Sequence, residues 1–406
     1  MKVLLTRSSE LGFEIAAAGG HHLEIDVAAI NSAEAPAIST AVETALGVTA
    51  YPLWEFACRD ESVFLCEVDQ SYWSKFTWIS LENVSWITCL SRAGADIARE
   101  LNRVAEPTAV PFVPWLRQGW IRELQAHLEK TFGDDCLIQP HKLRCDTLVI
   151  RVATNQGEFF EVRAETQYSK EYPAPLPHTM LRSMLQRPLT QEWLSLNVQV
   201  YKAPLGGGLS EQPDWETALT AYARAQRWIG EQFIEPELVT SGSSMTPQRP
   251  TRVPNLELPA NSHDMHALRD AAAAVLQLLP MTSVSSTLAL SPFEASIEAD
   301  GLRIGSWEHV AFTHPLEALT PFLAGVGAEN RPPVSKIVEW WSLGRGQSEP
   351  RITQRDLSAA LALAALRRAA ILLERGQSLR LLGTSLQTEV TAWFNYAKLH
   401  GSRIQS

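Results

Sequence analysis

Apolar and polar positions alternate along Met1–Thr6, which predicts an opening strand. Ala37–Leu46 carries its apolar residues at helical spacing and stops at Gly47, a residue type that ends helices. Two aromatic and β-branched runs follow, Tyr51–Cys58 and Ser62–Val68. The polar triplet Arg59-Asp60-Glu61 between them predicts a hairpin. A second helix is predicted over Ala93–Val104. Residues 1–105 therefore read as a small α/β unit.

Glu106-Pro107 and the proline-punctuated stretch Pro111–Trp115 predict a linker over 106–118. The helix predicted next, Gly119–Phe132, repeats apolar residues at Ile121, Leu124, Leu128 and Phe132. Three strands are predicted at Cys136–Gln139, Asp146–Ala153 and Glu158–Ala164, with Asn155-Gln156-Gly157 as the turn between the last two. A helix Thr179–Leu185 and a strand Leu194–Tyr201 complete a segment 119–205.

Beyond Gly206-Gly207-Gly208 the pattern becomes helical, over Trp215–Phe233 and Ser262–Leu279. The polar, proline-bearing stretch Ser241–Pro259 between them predicts a long loop. Short strands are predicted at Thr287–Leu290, Ala295–Glu298 and Leu302–Ser306, the last two joined by an Asp300-Gly301 turn. Helices fill the remainder at Pro315–Gly325, Pro333–Leu343, Gln354–Gly376 and Gln387–Leu399. Segment 206–406 thus reads as mainly helical, and the chain as α+β.

With 406 residues the chain exceeds one ordinary domain, and 45% hydrophobic residues suffice for large cores. A formal net charge of −10 without a Lys/Arg run argues against a nucleic-acid surface. The five cysteines, Cys58, Cys66, Cys89, Cys136 and Cys145, include no C-x-x-C pair and are expected as reduced thiols. MKVLLTRSSELGF reads as a strand and not as a signal peptide. Arg367 and Arg368 interrupt the apolar stretch Leu357–Leu373, so a buried or amphipathic helix is expected there instead of a membrane span. A cytoplasmic location follows as an expectation.

A family resemblance adds to this pattern. Trp115-Leu-Arg-Gln-Gly-Trp120 is similar to a W-x-R-x-G-W opening, and Leu148–Gly157 to paired nucleotide-lobe strands. Ala203–Leu209 is similar to a GG-x-L connector, and Tyr222-Ala-Arg-Ala-Gln226 to a YA-x-x-Q helix. Gly305-Ser-Trp-Glu308 with Thr313-His-Pro-Leu-Glu317 is similar to an I-D-W…H-P block. In this order, over about residues 110–400, the segments resemble the aminoglycoside phosphotransferase family. The resemblance implies a bilobal protein-kinase-like fold, with its N-lobe at 119–205 and a helical C-lobe at 206–406.

It also implies where catalytic groups should stand. The family orients its acceptor with an Asp in an H-G-D-x-H-x-x-N loop and holds magnesium with that Asn and a later Asp. By this resemblance Ser291 falls at the first Asp, Ser296 at the Asn and Ser306 at the second Asp. A serine hydroxyl is uncharged at pH 7 and serves poorly as a base or a lone magnesium ligand. The family's strand Lys has no counterpart in Glu158–Ala164, where Arg163 stands within one residue, and Glu171 matches the helix acid that pairs with that cation. An Arg fork does not fit a Lys site automatically.

Other constellations are weaker. His263-Asp-Met-His266 has a metal-site look but continues into an amphipathic helix, and Asp300 sits in a turn. Gly206–Gly208 lacks a following GK[ST] and reads as a hinge. Thr40–Val48 faintly resembles the helix of a Nudix hydrolase box. Ala41, Thr44 and Ala45 stand at its acidic positions and only Glu43 remains, which leaves a degenerate Nudix-like fold or a generic accessory domain.

The expected function is that of a catalytically degenerate phosphotransferase-like protein acting as a binding or interaction module. One alternative is an active ATP-dependent small-molecule phosphotransferase using Arg163, Glu171, Glu294 and Glu308. Another is a structural partner protein, which thirteen tryptophans would serve if some were exposed. No cofactor is expected unless the first alternative holds, when ATP and magnesium would be needed. A protein partner or small ligand is expected, with neither nucleic acid nor membrane, and oligomerisation is open.

Overall fold

The architecture is that of a computed structural model. It describes residues 2–9, 12–18, 21–26, 35–58, 61–84, 94–109, 111–133, 136–144, 147–166, 198–202, 214–232, 262–277, 285–287, 295–298, 301–304, 309–311, 315–324, 331–346, 351–379 and 384–404. The fold class is α+β, with sheets in the N-terminal part and helices in the C-terminal part, as expected. The chain divides into two compact units. One holds residues 1–171, 188–203 and 374–388, the other 172–187, 204–373 and 389–406.

The first unit opens with a mixed sheet. Strand β1 (Lys2–Ser9) is flanked by antiparallel β2 (Gly12–Ala18) and by β6 (Glu61–Val68), which runs parallel to it. The Thr6 hydroxyl donates to the Cys66 carbonyl across that parallel seam at 3.3 Å. β5 (Ala50–Cys58) pairs antiparallel with β6, the expected hairpin. Short β3 (His21–His22) and β7 (Thr77–Ser80) pair with β2, and β4 (Glu24–Asp26) pairs with β1. Helix α1 (Ala35–Leu46) ends where Gly47 takes φ +61°, a left-handed backbone that glycine adopts without strain. Among the described cysteines, Cys66 is buried and Cys136 half-buried, and neither forms a disulfide.

Alternation along the strands gives this sheet two apolar faces. Val3, Leu5, Phe64 and Cys66 face α1, through Ile38 and Val42. Leu4, Phe13, Ile15, Leu53 and Leu65 face the opposite way, against α2 (Gly94–Ala105). Ile97, Ala98, Leu101 and Val104 recur on one side of α2 at helical spacing, and all are buried.

The second sheet of this unit is antiparallel, in the order β11-β10-β9-β8. Its strands are β8 (Leu137–Leu143), β9 (Thr147–Ala153), β10 (Phe159–Glu165) and β11 (Val198–Lys202). Gly157, at φ +77°, closes the β9–β10 turn. One face, built from Leu148, Ile150, Val152, Phe160, Val162, Ala164, Val198 and Val200, joins the same core as the α2 face of the first sheet. Helix α3 (Trp120–Phe132) brings Trp120, Ile121, Leu124 and Leu128 into that core. The stretch 106–118 also contributes to it. Phe112, Val113, Trp115 and Leu116 are buried, and the Trp115 indole N–H donates to the Leu53 carbonyl at 2.8 Å.

In the second unit, α4 (Trp215–Gln232) packs on α7 (Val334–Arg345). Tyr222, fully buried, sets its ring 6.0 Å from that of Trp341. The helices approach closely at Gly344, where an added Cβ would stand 2.4 Å from the Thr220 carbonyl oxygen. Two antiparallel strand pairs follow α5 (Ser262–Gln277): β12 (Ser285–Thr287) with β15 (His309–Ala311), and between them in sequence β13 (Ala295–Glu298) with β14 (Gly301–Ile304). The sequence pattern placed β12 two residues later and did not predict β15. A 3-10 turn, Pro315–Ala318, leads into α6 (Leu319–Ala324). The long helix α8 (Gln354–Leu379) buries Leu357, Leu361, Leu363 and Leu372, and its Arg367 donates to the buried Glu317 at 2.6 Å. Helix α9 (Thr384–Gly401) ends the fold. Among the described residues, no helix is long and apolar enough to cross a membrane.

Trp115 combines complete burial with a buried hydrogen bond, so Trp115→Ala removes both. Urea unfolding is expected to show a loss of about 3–5 kcal/mol. Half-buried Asp356, at the start of α8, accepts from the Thr353 amide at 2.7 Å and hydroxyl at 2.8 Å, and Asp356→Ala, which removes these capping contacts, should lose about 1 kcal/mol.

Candidate functional site

The polar face of the second sheet is where the sequence placed its nucleotide-lobe cation. Period-two alternation puts Glu161 and Arg163 of β10 on the face opposite the apolar core. Glu161 stands directly across from Arg151 of β9 and Tyr201 of β11. The Arg163 guanidinium donates to Glu161 at 2.8 Å, and Arg151 donates to the other Glu161 oxygen at 3.4 Å. Arg163 also lies over the Tyr201 ring, 5.0 Å from its centroid, and the Tyr201 hydroxyl donates to Gln199. Arg163 is 6% exposed and Glu161 4%, so both charges are almost sealed from solvent.

A buried carboxylate is stable only when paired and hydrogen-bonded, and here two guanidinium groups share it. His141 of β8 borders the cluster. Burial first, then the positive charge of Arg151, pushes its imidazole down to about 4, so it is neutral at ordinary pH.

The sequence selected Arg163, and it lies on this face. Glu171, expected as its helix partner, lies outside the described residues, as do Ser291, Ser306, Glu294, Glu308, Asp300 and Gly206–Gly208. Ser296 is placed only through its backbone, in β13 opposite Arg303. His263, Asp264 and His266 lie in the first turns of α5, which begins where the sequence set a helix start. Among the described residues, no group of three or more His, Cys, Asp or Glu is placed to hold a metal ion. Sequence reasoning missed Glu161. The signal was available, since an acid two residues before Arg163 on a strand must share its face.

Magnesium-ATP, which the resemblance would bring, needs a cation presented to phosphate. Arg163 is instead almost sealed from solvent, between a carboxylate of its own strand and an aromatic ring. These residues do not fit a nucleotide clamp of the family's kind.

No family model matches the sequence, and no curated protein matches it. Solved structures of similar fold do exist. A choline/ethanolamine kinase family protein from Mesorhizobium loti shares 16% identity, over 69% of this chain and 94% of its own, at a TM-score of 0.47. A spectinomycin phosphotransferase, solved with ADP and spectinomycin, shares 12% over 70% of this chain and 98% of its own, at 0.46. A Plasmodium vivax ethanolamine kinase shares 10% over 70% and 89%, at 0.47. These likenesses are to small-molecule kinases, and they assign no role to any residue here.

Removing Glu161 leaves Arg163 buried without its principal counter-charge. Glu161→Ala is expected to cost about 3–5 kcal/mol in chemical unfolding. His141 adds a pH dependence. Its native pKa is lowered, so below the ordinary value near 6.5 the unfolded chain binds the extra proton. Stability should fall as pH drops from about 6.5 to about 4. His141→Gln should flatten that part of the stability–pH curve, whatever it does to stability at pH 8.

Proposed function

We propose that the chain is a kinase-like protein that works by binding and does not transfer phosphate. One observation carries the reading. The cation at the family's phosphate-clamping strand is an arginine locked onto Glu161 and Tyr201 at 6% exposure. Phosphoryl transfer depends almost entirely on positioned charge, because the protein does little covalent chemistry itself. A guanidinium at 6% exposure has almost no surface to present to a phosphate. The serines at 291, 296 and 306 point the same way, since none supplies the negative charge that magnesium and an acceptor hydroxyl require. On this reading the fold is retained as a scaffold for a protein partner or a small ligand, in the cytoplasm. The N-terminal unit, degenerate Nudix-like or not, adds surface to that scaffold.

A thermal-shift titration with ATP and GTP, each with and without magnesium, tests the reading. A nucleotide at one hundred times its dissociation constant would add about 2.7 kcal/mol to stability. No magnesium-dependent rise in melting temperature is expected. A clear magnesium-dependent rise would overturn the proposal in favour of an active small-molecule phosphotransferase.

A further inference from the structure

The first unit contains a cavity of about 420 Å³ away from the polar face of the second sheet. It opens between the adjacent ends of β1 and β2, the end of α2 and the residues just before α3. Its volume lies in the range of small-molecule sites. Three kinds of chemistry meet in it.

The first is an anionic end. Glu106 follows directly on Ala105, the last residue of α2, and both line the cavity. A helix C-terminus carries partial negative charge from its outward carbonyls, which adds to that of the Glu106 carboxylate. The second is a cationic end. Arg117 lines the cavity and uses one terminal nitrogen on Glu123 at 2.5 Å. Its guanidinium has five N–H donors in a fork, a geometry matched to carboxylates.

The third is a floor of uncharged polar groups. Ser8, at the carboxyl end of β1, lines the cavity. Its hydroxyl is buried beside Glu67 of β6, and together with the Ser8 backbone it draws that carboxyl downward, while burial dominates and pushes Glu67 up to about 7. The Asn102 and Gln118 carboxamides add donors and acceptors, while Phe13 and Leu116 give an apolar wall.

We propose that this cavity binds a small zwitterion of amino-acid size. Its ammonium sits at Glu106 and the end of α2, its carboxylate at Arg117, and its side chain against Phe13 and Leu116. The opposed charges set the class. An anion alone would meet the Glu106 end, and a cation alone would leave the Arg117 fork without a ligand carboxylate.

The full chain should be titrated calorimetrically with the twenty free amino acids. Matched amines and matched carboxylic acids, each lacking one charge, serve as controls. At least one amino acid is expected to bind, and its single-charge analogues to bind about tenfold more weakly or worse. Glu106 is exposed, so Glu106→Gln should leave the unliganded melting temperature unchanged while weakening binding about tenfold. Arg117→Lys, which keeps the charge and loses the fork, should weaken binding as well. Absence of binding by every amino acid would overturn the proposal, as would analogues that bind equally well or affinity unchanged in Glu106→Gln. The nucleotide titration tests a different surface, so either result there leaves this outcome distinct.

Discussion

A single apolar core holds the first unit together, and Trp115 sits where its parts meet. The ring is packed among side chains of both sheets' core, while its N–H is fixed to the Leu53 carbonyl of β5. The α2 face of the first sheet and the apolar face of the second each present a row of alternating large residues, Leu4 and Leu65 on one, Ile150 and Val162 on the other. Neither row can stay wet without losing roughly 1.5–3 kcal/mol for each large side chain. Helices α2 and α3 and the segment carrying Trp115 cover them jointly. The polar features of the unit are placed by what this core leaves over. The Glu161–Arg163 pair lies on the reverse of the second sheet, and the cavity at Ser8 lies where the core stops short of the end of β1.

The two polar sites illustrate opposite uses of buried charge. On the second sheet, Arg151, Arg163 and Tyr201 surround Glu161 until its carboxylate is satisfied. Such a closed arrangement specifies geometry but has little left to offer a ligand. Around Ser8, opposed charges are held apart on separate elements that line one cavity. Charges spaced around a cavity of adequate size are available to a ligand in a way that a closed pair is not.

Much of the fold was legible because its signals are local. The hairpin β5–β6 showed in two aromatic runs around Arg59-Asp60-Glu61, and α1 in its spacing and Gly47. β2 escaped notice because Gly12-Phe-Glu-Ile-Ala-Ala-Ala is short and alanine-rich, and alanine favours strands weakly. β15 was hidden because three residues, His309–Ala311, are too few to show a period. The burial of Phe112–Leu116 was masked by prolines that read as punctuation. Arg163 was legible through the resemblance and Glu161 through its place two residues earlier on the same strand, but Arg151 and Tyr201 were not, because pairing across neighbouring strands depends on register. The cavity was invisible for a similar reason, since Ser8 and Arg117 are brought together only by the folded chain.

The parallel seam between β1 and β6 has a consequence for how the chain is made. β1 is synthesised some sixty positions ahead of its partner β6, as the Thr6–Cys66 bond records. A nascent chain therefore carries an apolar strand with one edge unmatched while the intervening segment is still being added. Non-local pairing of this kind slows folding and exposes strand edges to other chains.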